Sequence, residues 1–408
     1  MISLHEARST VLQRVMAPSP SPMFLSEALG LRLAREVRAP EDQPAFDRSA
    51  MDGFAFPLRN GMSRMRVLGA VQPGEGADWA VGEGECVRIY TGGRVPEGCD
   101  CVVPQESAQR EGEWMTPLSL PEQSWIRRKG EAARAGDVLL GTGRRLGPGD
   151  IAMLASVGEA SPWVWPRARV VHVVTGNELV GVSGELQAGQ IRDSNSSLMG
   201  ALLRESGSIL VNQCRTGDSM VAVLDAIRSV GDGEWDMLLL SGGAGGGDFD
   251  FGARTLESLG FALHFRTVNL RPGKPLIFGT RGNQVAFVIP GNPVSHLVTF
   301  HLVIRLAIEV FMGMQEIMKW ADPGMETVRL PLKKSWKFDR DRRESWCPAR
   351  VETVGGRIVV EPVVWQNSGD LCGLVGVNAL VRVRPEVEAV DGNGNVECLL
   401  LGIRAFGA

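Results

Sequence analysis

The sequence predicts a multi-domain α/β plus β protein, on three observations. A chain of 408 residues is too long for one core and suggests three or four domains. From Arg167 to about residue 320, strand and helix patterns alternate, as parallel βα units require. Residues 64–137, and those after about 320, instead show short Val/Ile-rich runs cut by Gly and Pro turns, the pattern of small β domains.

Composition narrows the function classes. Hydrophobic content of 44% and charged content of 22% describe an ordinary soluble globular chain. A net charge of -4 gives no electrostatic case for nucleic acid or an acidic membrane surface. The seven cysteines form no CxxC pair, and their odd number argues against a disulfide framework. Cys99 and Cys101 sit on one expected strand and read as packing. The five histidines (5, 172, 264, 296, 301) fall in no triad or metal spacing, so core or surface roles are expected. The start lacks an apolar signal core. Leu297–Phe311 is interrupted by His301, Arg305 and Glu309 and is too short to span a bilayer. The expected location is the cytoplasm.

Along the chain, residues 2–16 have a helical period that Pro18, Pro20 and Pro22 end. Residues 25–35 are also compatible with helix. FDRSAMDGFAF (Phe46–Phe56) concentrates Asp47, Ser49 and Asp52, residues that favour capped turns by bonding their own backbone. Val87–Tyr90 and Cys101–Val103 read as strands, joined by a TGGRVPEG connection that carries Thr91. The basic run Arg127–Lys129, followed by Glu131, reads as a solvated face. Leu146–Val157 is helical, with Pro148 and Asp150 suited to a first turn.

In the alternating region, Ile209–Cys214 and Met237–Leu240 are expected strands, and Asn195–Ser206 and Met220–Val230 helices. A further strand closes on Thr175–Glu178. The apolar run WDMLLLS (Trp235–Ser241) fits a buried parallel strand and ends in SGGAGGGDFDFG. A Gly-rich turn between a buried strand and a helix favours an anion, usually phosphate. Asp248 and Asp250 beside it argue for a divalent cation bridging that phosphate. NLRPGKPLIFG sets Arg271 and Lys274 around a Pro-Gly turn before a strand at Pro275–Phe278. In QVAFVIPGNPVS, Asn292 or Pro293 opens an apolar helix to Met312 that carries Ser295 in its first turn. One such turn alone is more often a tight loop without a ligand. Three on consecutive strand ends describe an oxyanion pocket where open α/β sheets bind ligands. Val328–Leu332, Arg357–Val363 and Ala379–Val383 read as strands of a final β domain or barrel.

These motifs, with RIYTGGRVPEGCDCVV, IRRKGE, VVTGNEL and GQIRDSN between them, occur in one order over residues 45–320. In that order and spacing the chain resembles the bacterial MoeA family of molybdopterin molybdenumtransferases, and is similar to the E domain of gephyrin. The resemblance implies a helical linker domain (1–45 and 138–165), a small β domain (46–137), a doubly wound α/β molybdopterin-binding domain (166–320) and a C-terminal β-barrel domain (321–408). It implies a homodimer with a shared active site, and insertion of molybdate into adenylyl-molybdopterin with Mg²⁺-dependent cleavage of the adenylate, giving molybdenum cofactor and AMP. By motif, Asp218 and Asp250 would hold Mg²⁺ and the phosphates, with Glu178 another acid of the cleft. The Gly242–Gly243 turn and Asn292 would bind the pterin nucleotide. Arg271, Lys274, Ser295, Arg350 and Ser368 would form the molybdate pocket, while Asp52 and Thr91 would reach in from the other subunit. A further implied partner is the adenylyltransferase that precedes this step.

The chain departs from the family pattern at several points. Ala132 and Asn177 stand where carboxylates are usual, Gly245–Gly247 replace a hydroxyl-bearing loop, Arg271 replaces a Lys, and Arg94 a small residue or Pro. Arg for Lys keeps the charge but changes the geometry. The departures imply altered metal dependence. They also keep a second reading open, a catalytically weak or inactive paralogue acting as a molybdopterin-binding or scaffold protein.

Overall fold

The computed structural model describes residues 1–76, 79–242, 249–314, 326–338, 341–385, 387, 389–392 and 394–402, with Phe249 and Asp250 described by backbone alone. It separates into two compact units: residues 1–34, 143–147 and 161 onward, and residues 35–142 with 148–160.

The second unit is built on a six-stranded sheet in which Gly53–Phe56 pairs with both Glu85–Ile89 and Cys101–Pro104. Ala55, Val87, Ile89 and Val102 fill one face and Phe54, Phe56, Cys86 and Cys101 the other. Burial pushes the Cys99 thiol up to about 12 and that of Cys101 to about 11, as packed apolar cysteines require. The basic run is a solvated face, as expected, with Arg127, Arg128 and Lys129 all exposed, and it is also ion-paired. Arg128 Nη1 and the Lys129 N–H both donate to Asp47, each at 2.7 Å, and Arg127 pairs with Glu131.

The first unit opens with the helix Leu4–Arg14, closed by a Ser3–Glu6 capping box. The helix expected over residues 25–35 is reduced to one turn at Leu25–Glu27. Gly30 takes φ 80°, and Leu31 and Leu33, both fully buried, alternate inward as extended chain. Leu33 bridges Val164 there.

The α/β region runs β1 (Arg169–Thr175), α1 (Ser194–Ser206), β2 (Ile209–Thr216), α2 (Met220–Arg228), β3 (Met237–Ser241), α3 (Phe249–Ser258), β4 (Ala262–Thr267), β5 (Pro275–Arg281), β6 (Gln284–Ile289) and the long helix α4 (Pro293–Met314). The sheet order is β2-β1-β3-β6-β5-β4. The first four strands are parallel, β5 runs antiparallel to β6, and β4, antiparallel to β5, shares the direction of the first four. After β1 the chain steps outward to β2, then returns past β1 to β3, so the switch point lies between the ends of β1 and β3. All five residues of β3 are buried, as covered faces on both sides demand. Asp193 of the GQIRDSN motif caps α1, accepting from the Ser196 N–H at 2.9 Å. Helix α4 keeps helical backbone up to the kink at Met312 and Gly313, close to the expected end, and it is apolar enough to cross a membrane, yet its most apolar stretch is 89% buried inside the protein. It is the core helix, and its Glu309 accepts from Arg32 and Arg145 at 3.0 Å each.

The last region contains β7 (Val328–Pro331), β8 (Glu344–Val354), β9 (Arg357–Pro362), β10 (Ala379–Val383) and β11 (Asn395–Leu400). Its strands run β9-β8-β10-β11-β7. A bridge from Leu332 to Val360 joins the two edges, closing the expected barrel. The longest strand, β8, was missed in the sequence because Pro348 argues against an interior strand. Here Pro348 pairs with Leu380 and its carbonyl accepts from the Val363 N–H at 2.9 Å.

Candidate anion-binding cleft

A cleft of about 1190 Å³ opens between the carboxyl ends of β1 and β3 and the barrel wall. Its floor begins where Ser241 passes into Gly242, at φ 102°. A Cβ on Gly242 would stand 2.5 Å from the Thr175 carbonyl oxygen, so only glycine lets the two strand ends meet. Gly273 is held the same way in the RPGKP turn, at φ 113° with Thr299 Cγ2 2.6 Å from the site of a Cβ. Gly243, Asp248 and the Asp250 side chain lie outside the described residues.

Most of the residues singled out in the sequence come together here. Glu178, Asp218, Gly242, Arg271, Lys274, Asn292, Ser295 and Ser368 all line the cleft. Glu178 and Asp218 follow the parallel strands β1 and β2, whereas Arg271 and Lys274 belong to the turn before β5. Leu270–Arg271 pairs in parallel with Glu344–Ser345 of β8, so that turn is shared with the barrel sheet. Across the floor, Asn292 Nδ2 donates to Ser368 Oγ at 2.8 Å, and the Val294 N–H donates to the Ser368 carbonyl at 3.0 Å.

Arg350 is not among the lining residues. It sits on β8 with the parity of Glu344 and Trp346, is exposed, and donates to the Val375 carbonyl at 2.7 Å. The opposite parity faces the cleft, through Arg343, Ser345 and Cys347. Arg343 grips Asp341 through Nε at 2.8 Å and Nη2 at 2.7 Å, and Arg271 lies 3.6 Å from the same carboxylate. The Arg343 hydrogen bonds hold Asp341 down at about 2. The signal for Arg343 was an alternating pattern that Pro348 concealed.

Asp52 and Thr91 lie in the second unit and bind each other. The Thr91 N–H and hydroxyl donate to Asp52 Oδ1 at 2.7 and 2.8 Å, and these bonds hold the carboxyl below its ordinary value.

The described lining carries five cationic side chains (Arg192, Arg271, Lys274, Lys337, Arg343) and two acids, an excess that attracts a multiply charged anion. Arginine and lysine supply charge and the Ser295 and Ser368 hydroxyls direction, which suits a tetrahedral oxyanion. Trp336 and Phe338, in edge contact at 4.2 Å, and Trp365 add flat apolar surface to the same lining. Thr175 Oγ1 and Asn195 Oδ1 are buried at the floor without a hydrogen-bond partner, a costly state that a bound polar group relieves. Among the described residues no group of three or more His, Cys, Asp or Glu side chains is placed to hold a metal.

Fold and cleft together define an α/β protein that takes an oxyanion-bearing ligand at the switch point of its sheet. Three family models match in sequence: the MoeA N-terminal region (domain I and II) over residues 2–158, a probable molybdopterin binding domain over 172–309, and the MoeA C-terminal region (domain IV) over 329–401. The chain is 33% identical to the molybdopterin molybdenumtransferase of Haemophilus influenzae over 95% of both chains. It is 31% identical to that of Bacillus subtilis, over 92% of this chain and 89% of the relative. A crystal structure of the molybdopterin biosynthesis MoeA protein from Pyrococcus horikoshii superposes with a TM-score of 0.78 at 25% identity, covering all of both chains. The chain belongs to the MoeA family of molybdopterin molybdenumtransferases.

Proposed function

We propose that this cleft inserts molybdate into adenylyl-molybdopterin, cleaving the adenylate to release AMP and molybdenum cofactor. The observation that carries the reading is the convergence of Arg271, Lys274, Ser295 and Ser368 with Glu178 and Asp218 on one cleft. Arg271, Lys274 and the two hydroxyls hold the molybdate dianion. Arg343 takes the place that the resemblance gave to Arg350. The Gly242 turn and the α4 N-terminus, through Asn292, receive the phosphates, and Trp336, Phe338 and Trp365 offer flat surface to a pterin or purine ring.

Mg²⁺ prefers one or two carboxylates completed by substrate oxygens, and Glu178 and Asp218 meet that demand, with Asp250 as the further acid. When bound, the ion neutralises charge that develops as the phosphoanhydride breaks. Asp52 and Thr91, already joined to each other, would complete the cleft of a partner subunit in a cytoplasmic homodimer. A four-domain division at residues 45, 137, 165 and 320, and an encounter with the preceding adenylyltransferase, belong to the same proposal.

The test is AMP release from adenylyl-molybdopterin on adding molybdate and Mg²⁺. Release dependent on both supports the reading. Binding without release would favour the inactive paralogue, and no binding would overturn the assignment.

A further inference from the structure

Five groups beneath the cleft floor form one unbroken hydrogen-bond chain, and the histidines in it were expected only to pack. Gln213 Nε2 lies 2.8 Å from His172 Nδ1 and donates to the Ser196 carbonyl at 2.9 Å. His172 Nε2 lies 2.8 Å from Ser241 Oγ, and His296 Nε2 lies 2.8 Å from that same oxygen. His296 Nδ1 lies 3.0 Å from the Asn292 carbonyl oxygen. His172, Ser241 and His296 are fully buried.

The chain has only one direction. A carbonyl can only accept, so Gln213 must present its amide nitrogen to Ser196; the flipped amide would set oxygen against oxygen. The same nitrogen then donates to His172 Nδ1, which leaves Nε2–H to donate to Ser241 Oγ. At the other end the Asn292 carbonyl requires a proton on His296 Nδ1, so His296 Nε2 accepts the Ser241 hydroxyl proton. Both rings are thereby neutral and in opposite tautomers. Burial agrees, pushing His172 down to about 3 and His296 to about 4.

A serine donating to a histidine whose other nitrogen is anchored has the outline of a nucleophile and its base. Burial speaks against that role, because Ser241 and His296 are both fully buried; the donor from His172 takes one of the two lone pairs of Ser241 Oγ. The groups at the ends of the chain show what it does. Ser241 is the residue before the Gly242 turn. Asn292, whose carbonyl closes the chain, is the residue whose side chain reaches Ser368 on the barrel wall. Gln213 adds α1 through Ser196, one residue from Asn195.

We infer that His172 and His296 are positioning residues: their opposed tautomers lock Ser241 between them and so fix the Gly242 turn relative to Asn292 and Ser368. The inference rests on the proposed function for its catalytic consequence, and on geometry alone for the chain itself.

Two measurements test it on the full-length protein. Long-range ¹H–¹⁵N spectra of histidine-labelled protein at pH 7 should show His172 as the Nε2–H and His296 as the Nδ1–H tautomer. Identical tautomers, or a charged ring, would overturn the chain. Molybdate-dependent AMP release should fall at least tenfold in Ser241→Ala and in His296→Ala, with substrate affinity nearly unchanged in variants that keep the wild-type melting profile. The double variant should lose no more than the worse single one, because parts of one unit are not additive. Ser241→Thr, which restores the hydroxyl, should recover most of the rate. Wild-type turnover in folded Ser241→Ala, or additive losses, would reduce the histidines to packing. Absence of turnover in the wild type would instead sink the proposed reaction, while the tautomers would still decide the chain.

Discussion

Asn177 and Asp218 clasp each other through their backbones: the Asn177 N–H donates to Asp218 Oδ2 at 3.3 Å, and the Asp218 N–H donates to Asn177 Oδ1 at 3.2 Å. The first loop of the cleft thus holds the second by a neutral side chain. Asn177→Asp keeps the acceptor but places a second charge against Asp218. The half-saturating Mg²⁺ for AMP release should drop several-fold in that variant, and melting without Mg²⁺ should occur earlier. A Mg²⁺ titration identical to wild type would show that Asn177 does not tune the metal.

Arg343, one residue before β8, lines the cleft, whereas Arg350 on β8 does not. Arg343→Gln removes a charge-assisted contact to the anion, a loss of roughly 1.5–3 kcal/mol. The KM for molybdate should therefore rise about ten- to hundredfold. Arg350→Gln should change it little, since its guanidinium serves the Val375 carbonyl. The reverse ranking in steady-state kinetics would restore Arg350 to the pocket.

Asp250→Ala should abolish turnover and leave the melting temperature nearly unchanged, because alanine is a good helix former in the first turn of α3. An unaltered rate would remove Asp250 from the chemistry.

Three buried histidines, at positions 172, 296 and 301, are held to about 3, 4 and 3 by burial. Each stays neutral in the fold and is protonated in the unfolded chain below about pH 6.5. The unfolded state then binds more protons, so stability is complete above that pH and falls as pH drops toward 3–4. The slope reaches about 1.4 kcal/mol per pH unit for each histidine. Urea unfolding at pH 5 should give a stability at least about 2 kcal/mol below that at pH 7. A flat profile would contradict the burial of neutral rings.

Glu309 sits on the core helix. Burial alone would raise its pKa, but Arg145 and Arg32 hold it below the ordinary value. Glu309→Gln strands two half-buried guanidiniums, and breaking such a pair costs about 3–5 kcal/mol. Calorimetry should record that loss as a lower melting temperature, while the cleft residues keep their places.

What the sequence disclosed followed from local chemistry. The apolar run Met237–Ser241 and the Pro293 helix start each state their structure in adjacent residues, and both appear; of the glycine run after Ser241 only Gly242 falls among the described residues. What it concealed depended on register and distance. Gly30 cut a helical pattern whose leucines also fit a strand. Pro348 hid β8, and without β8 the parity that separates Arg343 from Arg350 has no reference, since one residue of slip exchanges the faces. Gln213, His172, Ser241 and His296 are scattered between positions 172 and 296, and only the parallel register of β2, β1 and β3, with the packing of α4, brings them into line.

The shared turn at Leu270–Arg271 has a mechanical consequence. One side of it continues into the α/β sheet and the other is laced to β8 of the barrel, while Ser368 is tied twice to the start of α4. Widening the cleft would tear ladder bonds at one hinge point and both Ser368 ties at the other. The two walls are therefore coupled at both points, like the jaws of a caliper set at one width.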